Sequence, residues 1–184
     1  MDPSPERINA VEQLENAVGM LRQSMDVRLI PPGGMSIVYA IRGARDPHGV
    51  AGVTGRITGP DDKPRAGGPV AFGADETGAR IVLTAMKFDP VVRAVAVIRF
   101  SPGLITVLEK MFLECCSFDR VREPPGLITM DWGVSSCCRD GVPDVIFDRG
   151  APGKEGLIRL FGENPDAVAN NIIILSNRIL NIEI

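Results

Sequence analysis

Histidine is almost missing from this sequence: His48 is the one imidazole in 184 residues. That excludes a catalytic metal site built on several histidines, and the Pro-His-Gly setting of His48 reads as a solvated turn. Long apolar runs are missing as well. The run Ile172–Leu175 falls far short of the ~20 residues that span a bilayer, so no membrane association is expected. The first 30 residues hold Glu6, Glu12, Glu15 and Asp26, the wrong composition for a secretory signal, and the expected location is cytoplasmic. There is no surplus of positive charge. A net charge of −3 and a pI near 5.2 give no field that draws the chain onto nucleic acid, so none is expected as a partner of this chain alone.

Cysteine is sparse and oddly placed, as the vicinal pairs Cys115–Cys116 and Cys137–Cys138. Zinc sites space their cysteines by two or more residues, and disulfide scaffolds are far richer in them. The reading favoured is four reduced, mostly buried thiols, with a four-thiolate metal site as the alternative. No metal is assigned.

What is present suits one globular domain. Hydrophobic residues at 45% and charged residues at 23% are ordinary for a soluble protein, and 184 residues support a single substantial core. The domain is expected to run over 1–184, with an N-terminal helix within 1–30 packed on it and a C-terminal helix over 165–182. Ile8, Val11, Leu14, Val18 and Leu21 recur at steps of three and four, which predicts a helix over 6–23 with one buried face. Pro31-Pro32-Gly33-Gly34 ends that region. Strands are expected over 36–41, 50–57 (interrupted by Gly52 and Gly55), 91–100, 144–147 and 157–161. Helices are expected over 75–88, 104–116, 129–139 and 165–180. The proline- and glycine-rich stretch 59–69 reads as a loop inserted within the domain. Strands separated by helices predict a layered α/β domain.

Several segments together carry a family resemblance. They are Gly34-Met-Ser-Ile-Val-Tyr-Ala40, Gly43-Ala-Arg-Asp46, Val53-Thr-Gly-Arg-Ile57, Phe72-Gly-Ala74 and Ala79 to Pro90. Arg93, Ile98-Arg99, Ser117-Phe-Asp-Arg120, Asp144 to Gly150 and Gly153-Lys-Glu155 complete the set. In order and spacing, from about residue 10 to 175, the chain resembles the archaeal thiamine-phosphate synthases of the ThiN type. The resemblance implies a three-layer α/β/α fold of the class II aldolase/epimerase kind, with a mixed, largely antiparallel sheet. It implies an activity that joins hydroxymethylpyrimidine diphosphate to thiazole phosphate and releases pyrophosphate. It also implies relatives in which the domain is fused to a pyrimidine kinase, or to a helix-turn-helix for which it senses ligand. Neither partner lies within these residues, so a stand-alone protein or an excised piece is expected.

Breaking a carbon–oxygen bond to diphosphate develops negative charge, which arginine, lysine, backbone N–H groups and usually Mg²⁺ stabilise. The resemblance makes Arg56 the catalytic arginine, if the chain is active. Its neighbour Gly55 would let a ligand approach the backbone. Phosphate-binding candidates are Arg56, Ser36, Gly73, Ala74, Asp75, Thr77, Arg99, Arg149, Gly153 and Lys154. The last three belong to a loop that offers glycine backbone and two cations. No cofactor is fixed by the residues; Mg²⁺ is the expectation with a diphosphate ligand.

Departures from the family pattern fall on the site. Asp75, Glu76 and Thr77 stand where the enzymes have two serines and a histidine. Met35 and Ser36 stand where a serine and an asparagine or histidine are expected, and Val97 replaces an asparagine. Two carboxylates at a helix N-terminus would repel a diphosphate, and threonine cannot exchange protons near neutral pH. Three readings follow. The first is a thiamine-phosphate-binding domain with weak or no catalysis. The second is a working synthase whose acid/base residue lies elsewhere. The third is an aldolase-like enzyme, against which the single histidine argues. The apolar residues of 172–184 surround most of a terminal helix and its tail, which predicts a homodimer.

Overall fold

The computed structural model describes residues 3–125 and 130–184. Its strands among these are β1 (Ser36–Ala40), β2 (Val50–Val53), β3 (Ile57–Thr58), β4 (Arg65–Ala66), β5 (Val70–Phe72), β6 (Ala94–Arg99), β7 (Cys115–Ser117), β8 (Val145–Phe147) and β9 (Leu157–Gly162). The α-helices are α1 (Pro5–Ser24), α2 (Glu76–Phe88), α3 (Pro102–Lys110), α4 (Trp132–Cys137) and α5 (Pro165–Arg178). Seven strands form one sheet in the order β5-β2-β1-β6-β9-β8-β7, while β3 and β4 make a separate ribbon. Only the β7–β8 pair is parallel among the ladders described, so the sheet is mixed and largely antiparallel, as expected.

The helices start where local chemistry lets them. Ser4 accepts the Arg7 N–H and Pro5 opens α1; Asn164 accepts the Ala167 N–H and Pro165 opens α5. Alternation along each strand then sorts side chains to two faces. Ile37, Tyr39, Ala96, Ile98, Ile158 and Leu160 pack with α1, α3 and α5. Val38, Val95, Val97 and Ile146 pack with α2 and α4. Helices on both faces of one sheet make three layers, the architecture anticipated. The apolar C-terminal helix α5 packs within the subunit: Ile172, Leu175 and Ile179 are buried beside Leu14, Ala17 and Leu21 of α1. No helix among the described residues is long and apolar enough to cross a membrane.

Several expectations are corrected. The strand expected over 50–57 breaks after Val53, because Gly55 and Arg56 both take left-handed backbone angles (φ 71° and 61°) and redirect Ile57 into the small ribbon. The stretch 59–69, expected as a loop throughout, supplies β4. The helix expected over 104–116 stops at Lys110, since Phe112 also has a positive φ of 62°, and Cys115–Ser117 continues as an edge strand. Val70–Phe72, for which the sequence pattern predicts no element, pairs with β2. The helix expected over 129–139 is α4, and Thr129 lies outside the described residues.

The cysteine expectation is overturned for half of the residues. Cys116 and Cys137 are joined by a disulfide with their Cα atoms 5.9 Å apart, tying β7 to α4. Neighbouring residues on a strand point to opposite faces, so Cys115 packs against the core on one side while Cys116 meets α4 on the other. Cys115 and Cys138 are free thiols. Burial pushes both up to about 11, so at pH 8 they stay protonated and react slowly, the thiolate being the nucleophile. Thiol titration of denatured, unreduced protein is expected to find two groups, and four after reduction. The residues bridged are 21 apart, so reduction should cost ~3 kcal/mol of stability by loop entropy. Four titratable thiols before reduction would show instead that all the cysteines are reduced.

Candidate functional site

A cleft of about 550 Å³ opens on the α2/α4 side of the sheet, within the usual ~300–1,000 Å³ of small-molecule pockets. The register of the sheet builds its floor. Ser36 lies opposite Val97, and Val97 opposite Arg159, so these three stand in one row on one face of β1, β6 and β9. Ile81 of α2, Leu157 and Phe118 add apolar wall, and Pro31–Gly34 forms the rim before β1. Two positions flagged in the sequence, Ser36 and Val97, are thus neighbours in the floor.

Arg56 reaches the cleft from the turn between β2 and β3. A non-glycine residue at φ 61° costs of order 1–3 kcal/mol, and the local packing enforces it. A Cβ on Gly67 would lie 2.8–2.9 Å from the Gly55 backbone, so two glycines cross closely beside Arg56. The Arg56 carbonyl accepts the Gly67 N–H at 2.8 Å, and Nη1 donates to the Gly33 carbonyl at 3.3 Å. Its Nε lies 3.9 Å from Asp75 Oδ2.

Asp75 is turned toward α2 and Arg56. It is buried, and Oδ1 accepts the Gly78 N–H at 2.9 Å as the cap of α2. Oδ2 is buried without a hydrogen bond and faces Arg56. Neither Asp75 nor the exposed Glu76 lines the cleft, whereas Thr77 does.

Of the other candidates, Ser36 and Lys154 line the cleft with Arg56 and Thr77. Gly73 and Ala74 lie in the turn before α2 and do not. Arg99 is exposed at the end of β6 and outside the lining. Arg149 stacks its guanidinium 5.2 Å from the Phe147 ring, outside the lining, and borders a smaller cavity that shares Phe118 and Arg120 with the cleft. Gly153 turns the 150–154 loop with φ 74°, away from the lining. His48 sits in the 3₁₀ turn Pro47–Gly49 beside Gly73, also outside the lining.

The sequence reading missed Arg80, Arg120 and Arg159, all of which line the cleft. With Arg56 and Lys154 they outnumber the lining carboxylates Glu123, Asp131 and Glu155. Arg159 is buried and shares the fully buried Asp148 with Arg120. Its Nη1 donates to Oδ2 at 3.0 Å, Arg120 Nε lies 3.3 Å from Oδ1, and the Gly150 N–H donates to Oδ1 at 2.8 Å. A signal was available: Arg159 is a lone charge within the apolar strand Leu157–Gly162, and such a charge is rarely buried without a partner.

Three His, Cys, Asp or Glu side chains that could cage a cation do not come together among the described residues. Asp75 accepts the Gly78 N–H and faces Arg56.

The model of the family described as thiamine-phosphate synthase ThiN matches residues 13–174. The chain is 38% identical over 172 residues to a bifunctional thiamine biosynthesis protein ThiDN of Methanocaldococcus jannaschii, covering 90% of this chain and 40% of that protein. It thus spans about two fifths of that relative's length. It is 33% identical over 170 residues to a thiamine-phosphate synthase ThiN of Methanothermobacter thermautotrophicus, covering 88% of this chain and 90% of that one. Among solved structures, the C-terminal domain of a phosphomethylpyrimidine kinase superposes with a TM-score of 0.86 at 36% identity, covering 92% of this chain and all of that one. An aldolase II superfamily protein from Pseudomonas syringae shares the fold alone, with a TM-score of 0.53 at 11% identity over 96% of this chain and 76% of that one.

Proposed function

Because the chain belongs to the thiamine-phosphate synthase family ThiN, we propose that its cleft binds thiamine phosphate or the phosphorylated precursors of thiamine, with little or no turnover. The observation that carries this is the convergence of Arg56 and Lys154, from separate turns, on one cleft with apolar walls. A guanidinium and an ammonium suit the phosphate, and Val97, Ile81, Leu157 and Phe118 suit flat aromatic rings.

Weak turnover is supported by what stands at the wall of α2. Thr77 lines the cleft where the resemblance expects histidine, and the chain's single histidine is elsewhere. General acid–base help is worth ~10²–10⁴-fold where a reaction uses it. Arg56, fixed by Gly33 and Asp75, can still receive charge on a phosphoryl oxygen.

One observation favours the alternative, an active synthase. Neither Asp75 nor Glu76 lines the cleft, so the repulsion expected of them does not oppose a diphosphate there. Incubation with hydroxymethylpyrimidine diphosphate and thiazole phosphate separates the two. Pyrophosphate release is expected at background, with thiamine phosphate still bound in a separate titration. Sustained release by the unmodified protein would establish the alternative.

A further inference from the structure

We propose that Arg120 and Arg159, held on the shared carboxylate of Asp148, form a second phosphoryl-binding subsite in the cleft, distinct from the one at Arg56. The inference rests on the reading of the cleft as a site for phosphorylated ligands, and deepens it by placing a second anion.

The charge balance is the first reason. Asp148 is fully buried and offers one negative charge to two guanidinium groups, leaving one positive charge uncompensated beside the cleft. Among the described residues neither arginine is ion-paired to any other carboxylate. The second reason is unmet hydrogen-bonding capacity. The Nε of Arg159 is buried without a hydrogen-bond partner, and that of Arg120, though 3.3 Å from Asp148 Oδ1, makes no aligned hydrogen bond to it. Arg120 otherwise donates only a long bond of 3.5 Å to the Glu155 carbonyl. Arg159 gives its Nη1 to Asp148 and to the Leu157 carbonyl. Buried donors left unmatched are costly, and a phosphoryl group carries oxygens enough to serve both forks.

Rigidity is the third reason. Asp148 accepts from the Gly150 backbone as well, and the Arg159 guanidinium lies 5.0 Å from the Phe118 ring centroid. The subsite is thus held by β8, β9 and the segment after β7. From Ser36, near the Arg56 wall, to Arg159 the register crosses two strand spacings, about 10 Å. That separation suits two phosphoryl groups at opposite ends of the cleft better than one group shared between them.

Calorimetry with inorganic pyrophosphate as the probe tests the assignment on the whole chain. Unmodified protein should bind it, and Arg120→Met should weaken binding by roughly ten- to a hundredfold. Arg99→Ala, at an exposed arginine outside the lining, should change pyrophosphate affinity by less than about threefold. Arg120→Met leaves Asp148 paired with Arg159, so the fold should survive, and an unchanged thermal midpoint checks it. Arg120→Lys, which keeps charge but loses the fork, serves as the variant if Met unfolds the protein, and an intermediate loss is expected. Equal affinity in unmodified protein and Arg120→Met, or no pyrophosphate binding by either, overturns the subsite. If thiamine phosphate then still binds through Arg56, the functional reading stands without it. Pyrophosphate binding that needs Arg120, in a protein that ignores thiamine phosphate, would keep the subsite and remove that reading.

Discussion

Asp148→Ala is expected to lower the unfolding free energy by ~3–5 kcal/mol, the usual cost of stranding a buried charge by deleting its partner. Asp148 is fully buried and Arg159 nearly so, and Asp148 is the carboxylate with which Arg159 is ion-paired among the described residues. The change also frees the Gly150 N–H and half-releases Arg120. Against a total stability of ~5–15 kcal/mol, that is a large fraction. Asp75→Ala provides the contrast, since it removes a helix cap and a longer ion pair to the partly exposed Arg56. A cap is worth only ~0.5–2 kcal/mol. Urea unfolding of the two variants measures both. If Asp148→Ala cost no more than Asp75→Ala, the buried carboxylate would not be the counter-charge it is described as.

Arg56→Ala is expected to weaken thiamine phosphate binding by roughly ten- to a hundredfold, the value of a charge-assisted hydrogen bond of ~1.5–3 kcal/mol. Binding of unphosphorylated thiamine should fall much less, because that ligand has no phosphate for the guanidinium to hold. The variant should fold, since the side chain is partly exposed and its removal leaves the core intact. It also relieves no strain, because alanine inherits the left-handed backbone. Calorimetry on both ligands decides. Equal weakening for both would place Arg56 away from the phosphate, and no weakening would leave it structural.

How much of the fold was legible in the sequence depended on the physical signal. Helical periodicity over 6–23 and the valine-rich run near 91–100 announced their elements because one face, or both, must be buried. The break after Val53 was not legible. Gly55 signalled an interruption, but the left-handed angle at Arg56 comes from the Gly55–Gly67 crossing, between residues twelve apart. The short edge strands Val70–Phe72 and Cys115–Ser117 escaped for a related reason, since three residues carry almost no periodicity and only their partners define them.

The site divided in the same way. Arg56, Ser36, Thr77 and Lys154, positions that family resemblance marks, all line the cleft. Arg120 and Arg159 were missed because their role depends on sharing Asp148, and no spacing in the chain reports a shared partner. The orientation of Asp75 was not legible either, because it is set by the cap it makes with Gly78 and by Arg56 beside it. The charge of Asp75 is a property of its side chain, whereas the direction of that charge is set by tertiary structure.

A crystal structure of the protein grown with thiamine phosphate tests the central claim most directly. The predicted result is intact thiamine phosphate in the cleft beneath Pro31–Gly34, its rings against Val97 and Ile81 and its phosphate within hydrogen-bond reach of Arg56 or Lys154. A ligand seated outside this cleft, or one lying in it with its phosphate remote from those cations, would contradict the account.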